Sequence, residues 1–266
     1  MGRCDTAPVG FEITSLSNER IKWLVRLHER KRRDAERVFV VEGPRLYHRA
    51  LAAGLKPRIT FISDQAIDGT VGECVTVAPD VLDKASYRPR SQGLIAVFDQ
   101  EDSTLGEIER GPRPLLLIAE NVEKPGNLGA MSRTAAAAGA NAVITVGDAV
   151  DRWNPNVLRS STGAIFSLPI VSSSWDEVGP WLAERDIRVV AASPDAAESL
   201  WETDLTGPVA IVVGAEDEGL SEGAEAIADH LVAIPQRDDV VDSLNASVSA
   251  AVALFEAVRQ RSSGAA

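Results

Sequence analysis

Three short stretches of this chain place hydrogen-bonding side chains beside apolar runs. In the first, Asn127 and Arg133 lie around the start of an apolar helical pattern, and an arginine fork can hold a phosphate through two parallel hydrogen bonds. In the second, Glu216 stands between two glycines, which allow the backbone to approach a ligand closely. In the third, Ser243 and Asn245 precede a helical pattern, where they can orient a hydroxyl or cap the helix. Taken singly, a surface arginine, a turn and a helix cap explain these residues at least as well.

The order of the three stretches makes them more specific together than apart. The first is ENVEKPGNLGAMSRTA from Glu120, the second is IVVGAEDEGLS from Ile211, and the third joins VAIP from Val232 to SLN from Ser243. In this order they resemble motifs 1, 2 and 3 of the SpoU/TrmH family of RNA ribose 2'-O-methyltransferases, within the SPOUT class. The resemblance covers about residues 112 to 261.

This resemblance implies a C-terminal α/β domain with a deep trefoil knot, S-adenosylmethionine as cofactor and RNA as substrate. It also implies a homodimer, with the first motif helix and the final helix at the interface. The family's catalytic positions fall on Arg133, Asn127, Ser243, Asn245 and Glu216. Arg133 is expected to hold the phosphate beside the target ribose, because a guanidinium stays charged and is a poor base. Cofactor contacts are expected from Ser193, Gly214, Glu216, Gly219, Ile234, Ser243 and Leu244.

The third motif departs from the family pattern between Pro235 and Ser243. This loop is one residue longer than usual, contains no glycine, and carries Asp242 where glutamate is commoner. The departure leaves open an RNA-binding protein that keeps the fold but no longer methylates. A nicotinamide-dinucleotide site is a poor alternative, because the glycine-rich turn expected after a first strand is missing.

The charge of the chain is unevenly distributed. The net charge is -12, yet the segment from Arg20 to Arg58 holds twelve lysines and arginines and only four acidic residues. Clustered cations displace condensed counterions from nucleic acid, so this segment predicts an RNA-contacting surface. The expected contacts are Arg30, Lys31, Arg32, Arg33 and Arg45. The alternative is a solvated helix end, where cations complement the helix dipole.

The remaining composition argues against several other classes of protein. The two cysteines have no metal-site or disulfide spacing, and the three histidines are dispersed, so no metal site is expected. No apolar run approaches the roughly 20 residues of a membrane span, and the first residues lack the pattern of a signal peptide. A cytoplasmic protein without a membrane partner is expected.

Alternating apolar runs and helical patterns predict two α/β domains. Residues 11–98 hold short strands and helices, and FVVEG from Phe39 with its following helix resembles the L30e-like RNA-binding domain. Residues 99–111 are polar and form the expected linker. In residues 112–261, apolar runs alternate with helices, which predicts a mostly parallel sheet covered on both faces.

Two helices carry more detailed expectations. The first is predicted to begin near Ser17 and to continue through the cationic run to Arg33. The last is predicted to have Asp242 or Ser243 as its N-cap. Its apolar residues recur at spacings of three and four and predict one shared face: Leu244, Val248, Ala251, Phe255 and Val258.

The N-terminal domain type determines the expected substrate. L30e-like domains are more typical of the family's ribosomal RNA methyltransferases than of its transfer RNA enzymes. Large-subunit (23S) ribosomal RNA is therefore the expected substrate, and a transfer RNA ribose methyltransferase of the same fold is the alternative.

Overall fold

The computed structural model describes residues 11–63, 69–109, 111–147, 150–237 and 243–263. The chain forms two compact units, one of Met1–Glu101 with Trp153–Arg159 and one of Asp102–Arg152 with Ser160–Ala266. Sequence analysis placed Trp153–Arg159 in the C-terminal domain. In the structure this segment belongs to the first unit, where the Trp153 ring stacks on Phe39 with ring centroids 4.2 Å apart. Local sequence patterns do not reveal with which unit such a loop packs.

The first unit contains a four-stranded sheet with helices packed against it. Its helices within the described residues are α1 (Glu19–Arg26), α2 (Arg30–Glu36), α3 (Pro44–Ala52) and α4 (Pro79–Ala85). Its strands are β1 (Val38–Glu42), β2 (Pro57–Ile62), β3 (Cys74–Thr76) and β4 (Leu94–Asp99). The strand order is β1-β4-β2-β3, in which β4 runs antiparallel to β1 and β2 while β3 runs parallel to β2. The predicted small α/β domain is therefore present.

The cationic run after α1 differs from its prediction. The helix α1 ends at Arg26, and α2 begins separately at Arg30, so the single helix predicted through Arg33 is wrong. Arg33 is only 1% exposed, and its Nη1 donates to the carbonyl oxygens of Leu27 and His28 at 2.7 and 2.8 Å. These carbonyls lie where α1 ends, and they accept hydrogen bonds from one nitrogen of the buried guanidinium. Arg33 is therefore structural and does not belong to the exposed cationic surface.

The second unit is built on a seven-stranded, fully parallel sheet. Its strands are β5 (Leu115–Glu120), β6 (Ala142–Val146), β7 (Ile170–Ser173), β8 (Arg188–Ala192), β9 (Glu198–Ser199), β10 (Val209–Val213) and β11 (His230–Ala233). The strand order is β7-β6-β5-β10-β8-β11-β9. The mostly parallel sheet is confirmed, because every β5 and β10 residue is buried as expected of strands covered on both faces.

Helices cover this parallel sheet. They are α5 (Pro125–Ala137), α7 (Trp175–Ala183), α8 (Glu222–Ile227) and α9 (Ala246–Ser263), whereas α6 (Pro155–Ser160) belongs, except for its last residue, to the first unit. Short 3-10 helices lie at Leu105–Glu107 and Ala164–Phe166. In the described part of the chain, no helix is both long and apolar enough to cross a membrane.

The terminal helix α9 corrects two predictions. It begins at Ala246, and its N-cap is Asn245, whose Oδ1 accepts from the Ser247 backbone N–H at 3.0 Å; Ser243 lies before the helix and Asp242 lies outside the described residues. The predicted face is also not the buried one, because Val248 and Phe255 are 46% and 49% exposed. The buried side is mainly alanine: Ala246, Ala250, Ala253, Leu254 and Ala257. Small side chains let α9 pack closely on α5, and spacing alone did not show which apolar stripe does so.

Candidate active site

The loops that follow β8, β10 and β11 surround a cavity of about 520 Å³ at the carboxyl edge of the parallel sheet. Open α/β sheets generally bind ligands at this edge, and the volume lies within the usual range of about 300–1,000 Å³ for small-molecule sites. All of the residues predicted to contact the cofactor line this cavity: Ser193, Gly214, Glu216, Gly219, Ile234, Ser243 and Leu244. The structure thus brings together residues that are up to 51 positions apart in the sequence.

The loop after β10 needs both of its glycines. The Ala215 N–H donates to the Gly219 carbonyl at 3.0 Å, and the Gly219 N–H donates back to the Ala215 carbonyl at 3.1 Å. A Cβ at Gly214 would collide with the Gly219 carbonyl, and Gly219 itself has a φ of 70°, a region that favours glycine. The two reciprocal hydrogen bonds close a tight turn between Ala215 and Gly219, and Glu216 lies within this turn.

Glu216 joins side chains from all three motifs. Its Oε1 accepts from Asn127 Nδ2 at 2.9 Å and from Asn245 Nδ2, while its Oε2 accepts from Lys124 Nζ. The two asparagines also touch each other, with Asn245 Nδ2 at 3.3 Å from Asn127 Oδ1. The hydrogen bond from Lys124, followed by that from Asn127, lowers the pKa of Glu216 below its ordinary value of 4.5. A carboxylate therefore orients both asparagine amides.

Lys124 is a site residue that sequence reasoning missed. Its ammonium is paired with Glu216, which raises the pKa of Lys124. A smaller cavity of about 100 Å³ lies here, lined by Asn121, Lys124 and Asn127, and it shares Glu216 with the larger one. The available signal was the position of Lys124 three residues before Asn127, directly ahead of Pro125 at the start of α5.

Arg133 is the predicted catalytic residue that the structure does not bring into this cluster. It lies on the exposed side of α5, roughly 9 Å further along the helix axis than Asn127, and it lines neither cavity. Within the described ranges its guanidinium has no hydrogen-bond or ion-pair partner. It is therefore available to a phosphate that approaches from outside the cavity.

The sequence of the second unit matches a known protein family over most of its length. A family model described as the SpoU rRNA Methylase family matches residues 114–255, which is more than half of the chain. The chain belongs to the SpoU rRNA methylase family. Residues 18–96 match a second model, the MRM3-like substrate binding domain. This match confirms the prediction of a substrate-binding domain ahead of the SpoU methylase domain, and the strand order of the second unit is consistent with the SPOUT trefoil knot.

Alignments with individual relatives of this SpoU methylase cover most of this chain and most of each relative. A 23S rRNA (guanosine-2'-O-)-methyltransferase RlmB of Pectobacterium atrosepticum is 37% identical over 68% of this chain and 76% of its own. A 23S rRNA (uridine(2479)-2'-O)-methyltransferase of Streptomyces viridochromogenes is 30% identical over 98% of this chain and 96% of its own. The solved SpoU methyltransferase AviRb of that organism, in complex with the cofactor AdoMet, superposes with a TM-score of 0.85 at 30% identity. It covers 92% of this chain and 99% of its own.

Membership of the SpoU family makes this protein an S-adenosylmethionine-dependent methyltransferase, and the larger cavity fits that cofactor. The cofactor carries a sulfonium cation, and the cavity lining carries the opposite charge: Asp195, Glu216, Asp217, Glu218 and Glu225. When bound, S-adenosylmethionine supplies an electrophilic methyl group. Residues 238–242 of the longer third-motif loop lie outside the described part of the chain.

A buried carboxylate outside the predicted set anchors the loop that lines the cavity. Glu120, the last residue of β5, is only 1% exposed. It accepts from the Ser221 backbone N–H at 2.9 Å, from the Ser221 hydroxyl, and from the Trp175 indole N–H at 2.5 Å. Three donors satisfy the buried group, so it fixes the end of the loop that begins at Gly214. The sequence signal was an acidic residue that closes a fully apolar strand.

We expect Glu120→Gln to raise the Kd for S-adenosylmethionine about tenfold, which corresponds to about 1.4 kcal/mol, the scale of one lost hydrogen bond to a charged group. The amide offers one acceptor oxygen in place of two, so the Ser221 end of the loop loses a contact. Titration calorimetry measures this Kd. The matched control is Asp83→Asn in the first unit, because Asp83 accepts from the Ser91 backbone N–H and hydroxyl in the same manner, both at 2.8 Å. An unchanged Kd in Glu120→Gln, or an equal rise in the control, contradicts the anchoring role.

Proposed function

We propose that this protein transfers the methyl group of S-adenosylmethionine to a ribose 2'-oxygen of large-subunit ribosomal RNA. The observation that carries the proposal is the cluster of Asn127, Glu216 and Asn245, which joins the three SpoU motifs beside the larger cavity. Methyl transfer to a hydroxyl requires the two reacting atoms to be held in line, and fixed neutral donors and acceptors provide that positioning.

Each of the motif residues has a separate proposed role in the reaction. Ser243 and Asn245 orient the ribose hydroxyl at the mouth of the larger cavity, where Ser243 is exposed and Asn245 is held by Glu216. Asn127 fixes the same carboxylate from the helix α5. Arg133 clamps the phosphate next to the target ribose through its planar fork, because its exposed guanidinium has no competing partner among the described residues.

The substrate is proposed from the relatives and from the first unit. The Pectobacterium and Streptomyces relatives are both named as 23S rRNA 2'-O-methyltransferases, one acting on guanosine and the other on uridine. These two names support the large-subunit RNA as substrate and leave the target base open. The substrate-binding domain, which we propose spans residues 11–98 ahead of a linker at 99–111, supports the same class of RNA.

A homodimer and a cytoplasmic location complete the proposal. Two large apolar side chains of α9, Val248 and Phe255, are about half exposed, and α9 packs on α5, which also carries the exposed Arg133. These two side chains share one face of the helix, and a contiguous exposed apolar patch is a mark of a protein–protein contact. A second copy of the chain covers them in the proposed dimer. The cytoplasm is the compartment in which the proposed substrate is assembled.

The experiment that tests the function is transfer of labelled methyl from S-adenosylmethionine to separated RNA fractions. We expect label in large-subunit ribosomal RNA and none in small-subunit ribosomal or transfer RNA. Label confined to transfer RNA contradicts the proposed substrate and keeps the reaction. Absence of label from every RNA and from isolated ribosomal subunits, despite measurable cofactor binding, favours an RNA-binding protein that has lost methylation.

The exposed cations of α2 are expected to contact RNA without Arg33. We predict that Arg30→Gln, Lys31→Gln and Arg32→Gln together weaken RNA binding and lower the slope of log K against log salt by about 2 to 3, since each phosphate contact contributes about 0.9 for a duplex. Fluorescence anisotropy across a salt series measures the slope.

The matched control for the α2 triple variant removes three cations from the same unit. Joint replacement of Arg20, Lys22 and Arg58 by glutamine removes the same three charges. Each of these cations is paired with an exposed carboxylate, as Arg30 is with Asp34. We expect this control to change the salt slope less than the α2 variant does. An equal change in both variants shows a general charge effect and removes α2 from the RNA-contacting surface.

A further inference from the structure

A second cationic segment of the first unit carries an exposed aromatic ring. The segment runs from the last turn of α4 into the loop after it and contains Lys84, Arg88 and Arg90, with no acidic residue between positions 84 and 98. Within it, Tyr87 is 41% exposed, and it is one of eight large apolar side chains that are exposed among the described residues. In a chain of net charge -12, an uninterrupted cationic segment around an open ring is a distinctive surface.

The backbone around Tyr87 is firmly held. The Tyr87 N–H donates to Oε1 of Glu42 at 2.5 Å, and Glu42 is buried at the end of β1. Arg88 lies 3.9 Å from the same carboxylate. On the other side, the Ser91 N–H and hydroxyl donate to Asp83 at 2.8 Å. The ring is therefore presented from a backbone fixed at both ends, so little conformational entropy remains to be lost on binding.

This segment is continuous with the cationic helix α2. His28, two residues before Arg30, has its Nε2 at 3.1 Å from the Ala85 carbonyl oxygen. Its ring meets Tyr87 edge to face, with centroids 5.5 Å apart and an interplanar angle of 86°. Tyr87 thus contacts the residue two positions before α2, and Arg88 and Arg90 follow it closely in the chain.

We propose that Tyr87 stacks on an unpaired base of the RNA substrate, while Arg90 and the exposed cations of α2 hold the phosphates on either side of it. An aromatic ring cannot stack on the bases inside a paired duplex, because those bases already stack on each other. It can stack on a base that is turned out of a loop or bulge. The surface therefore selects a structured RNA with an unpaired nucleotide. This inference rests on the proposed function only for the identity of that RNA.

The test compares two fluorescein-labelled RNAs of equal length, a hairpin with an unpaired loop and a fully paired duplex, with the full-length protein. Base stacking on an aromatic side chain is worth about 1–3 kcal/mol, so Tyr87→Ala is expected to weaken hairpin binding about tenfold or more. Duplex binding is expected to change less than about twofold in the same variant, and Tyr87→Phe is expected to bind both RNAs as the wild type does. Melting curves show whether each variant remains folded.

A second variant separates stacking from charge. Arg90→Gln is expected to weaken both RNAs and to lower the salt slope by about 1. The control Lys56→Gln removes an exposed cation just before β2. Pro57, the first residue of β2, pairs with Phe98, whereas Glu42 pairs with Ile95 towards the other end of β4, so this control is expected to weaken binding less than Arg90→Gln does. Hairpin binding that is unaltered by Tyr87→Ala, or weakened equally for hairpin and duplex, overturns the proposal.

The proposed stacking surface and the proposed methylation reaction can be contradicted independently of each other. Methyl transfer by the wild-type protein is measured in parallel with binding. Loop-selective binding that depends on Tyr87 without methyl transfer supports the surface and contradicts the proposed function. Methyl transfer whose KM for RNA is the same in wild type and Tyr87→Ala contradicts the surface alone.

Discussion

The Arg133→Ala variant is expected to lose about 10³-fold in kcat, the upper end of what removal of one charge-stabilising donor costs. Arg133 lines neither cavity, so the Kd for S-adenosylmethionine is expected to stay within about twofold of the wild type. The loss falls on kcat because the guanidinium positions the ribose only when RNA is bound, and misplacement of the acceptor by about 1 Å costs about 100-fold. Single-turnover methyl transfer together with titration calorimetry separates the two effects.

Two further variants isolate the fork geometry of Arg133. Arg133→Lys keeps the charge but loses the planar pair of donors, and we expect it to remain well below wild-type turnover. Arg188→Ala is the control, because Arg188 is a half-exposed arginine at the amino end of β8, at the opposite end of the strand from the cofactor residues. Full turnover by Arg133→Ala excludes the proposed phosphate clamp.

The Glu216→Gln variant is expected to lower kcat/KM about 100-fold, because it disrupts the contact network that orients Asn245. The amide oxygen can still accept from Asn127 and Asn245, but the amide nitrogen then faces the Lys124 ammonium, and both groups are donors. The conflict is local to the active site. Steady-state kinetics with both substrates varied measures the loss, and melting curves serve as the folding control.

Removal of Lys124 is expected to relieve that conflict in part. If the two side chains act through direct contact, the double variant Glu216→Gln with Lys124→Met is expected to lose less activity than the two single losses predict when added as free energies. The expected coupling free energy is about 0.5–3 kcal/mol. Strictly additive losses show that the two residues act separately. This double-mutant cycle tests the contact itself, independently of the total activity.

The same contact predicts a dependence on pH. In the folded protein Lys124 holds the pKa of Glu216 below its ordinary value of 4.5, so the ionised network persists above the lowered pKa and is lost as pH falls through it. Lys124→Met removes the largest cause of the lowering. The acid limb of its kcat/KM profile is therefore expected to shift to higher pH, and an acid limb at the wild-type position contradicts the assigned cause.

Sequence patterns predicted the parallel sheet because strand burial depends on local signals, whereas the grouping of the site residues was implied by the motif resemblance. Apolar runs mark strands covered on both faces, and residues that directly follow parallel strands meet at one edge of the sheet. Ser193, Gly214 and Ile234 each follow such a strand and line one cavity. The motif resemblance supplied the roles of Ser243 and Asn245, which spacing alone does not distinguish from helix capping.

The sequence did not predict features that depend on what packs against a residue. Arg32 and Arg33 are adjacent arginines of one cationic run, so the sequence does not distinguish them. Arg33 is the buried one, and its guanidinium donates to the carbonyls at the end of α1. The apolar stripe of α9 that contains Phe255 has the better spacing, but the alanine stripe is the one that is buried. Lys124 and Glu120 gained their roles from partners about ninety to one hundred residues away, a distance over which local patterns carry no signal.

The most direct test of the central claim is the chemical position of the transferred methyl group. A 2'-O-methyl group removes the hydroxyl that attacks the neighbouring phosphate in alkali, so the linkage after a methylated ribose survives hydrolysis. Large-subunit ribosomal RNA labelled by this protein is therefore expected to release its label in an alkali-stable dinucleotide. Label released in mononucleotides places the methyl on a base and contradicts ribose methylation.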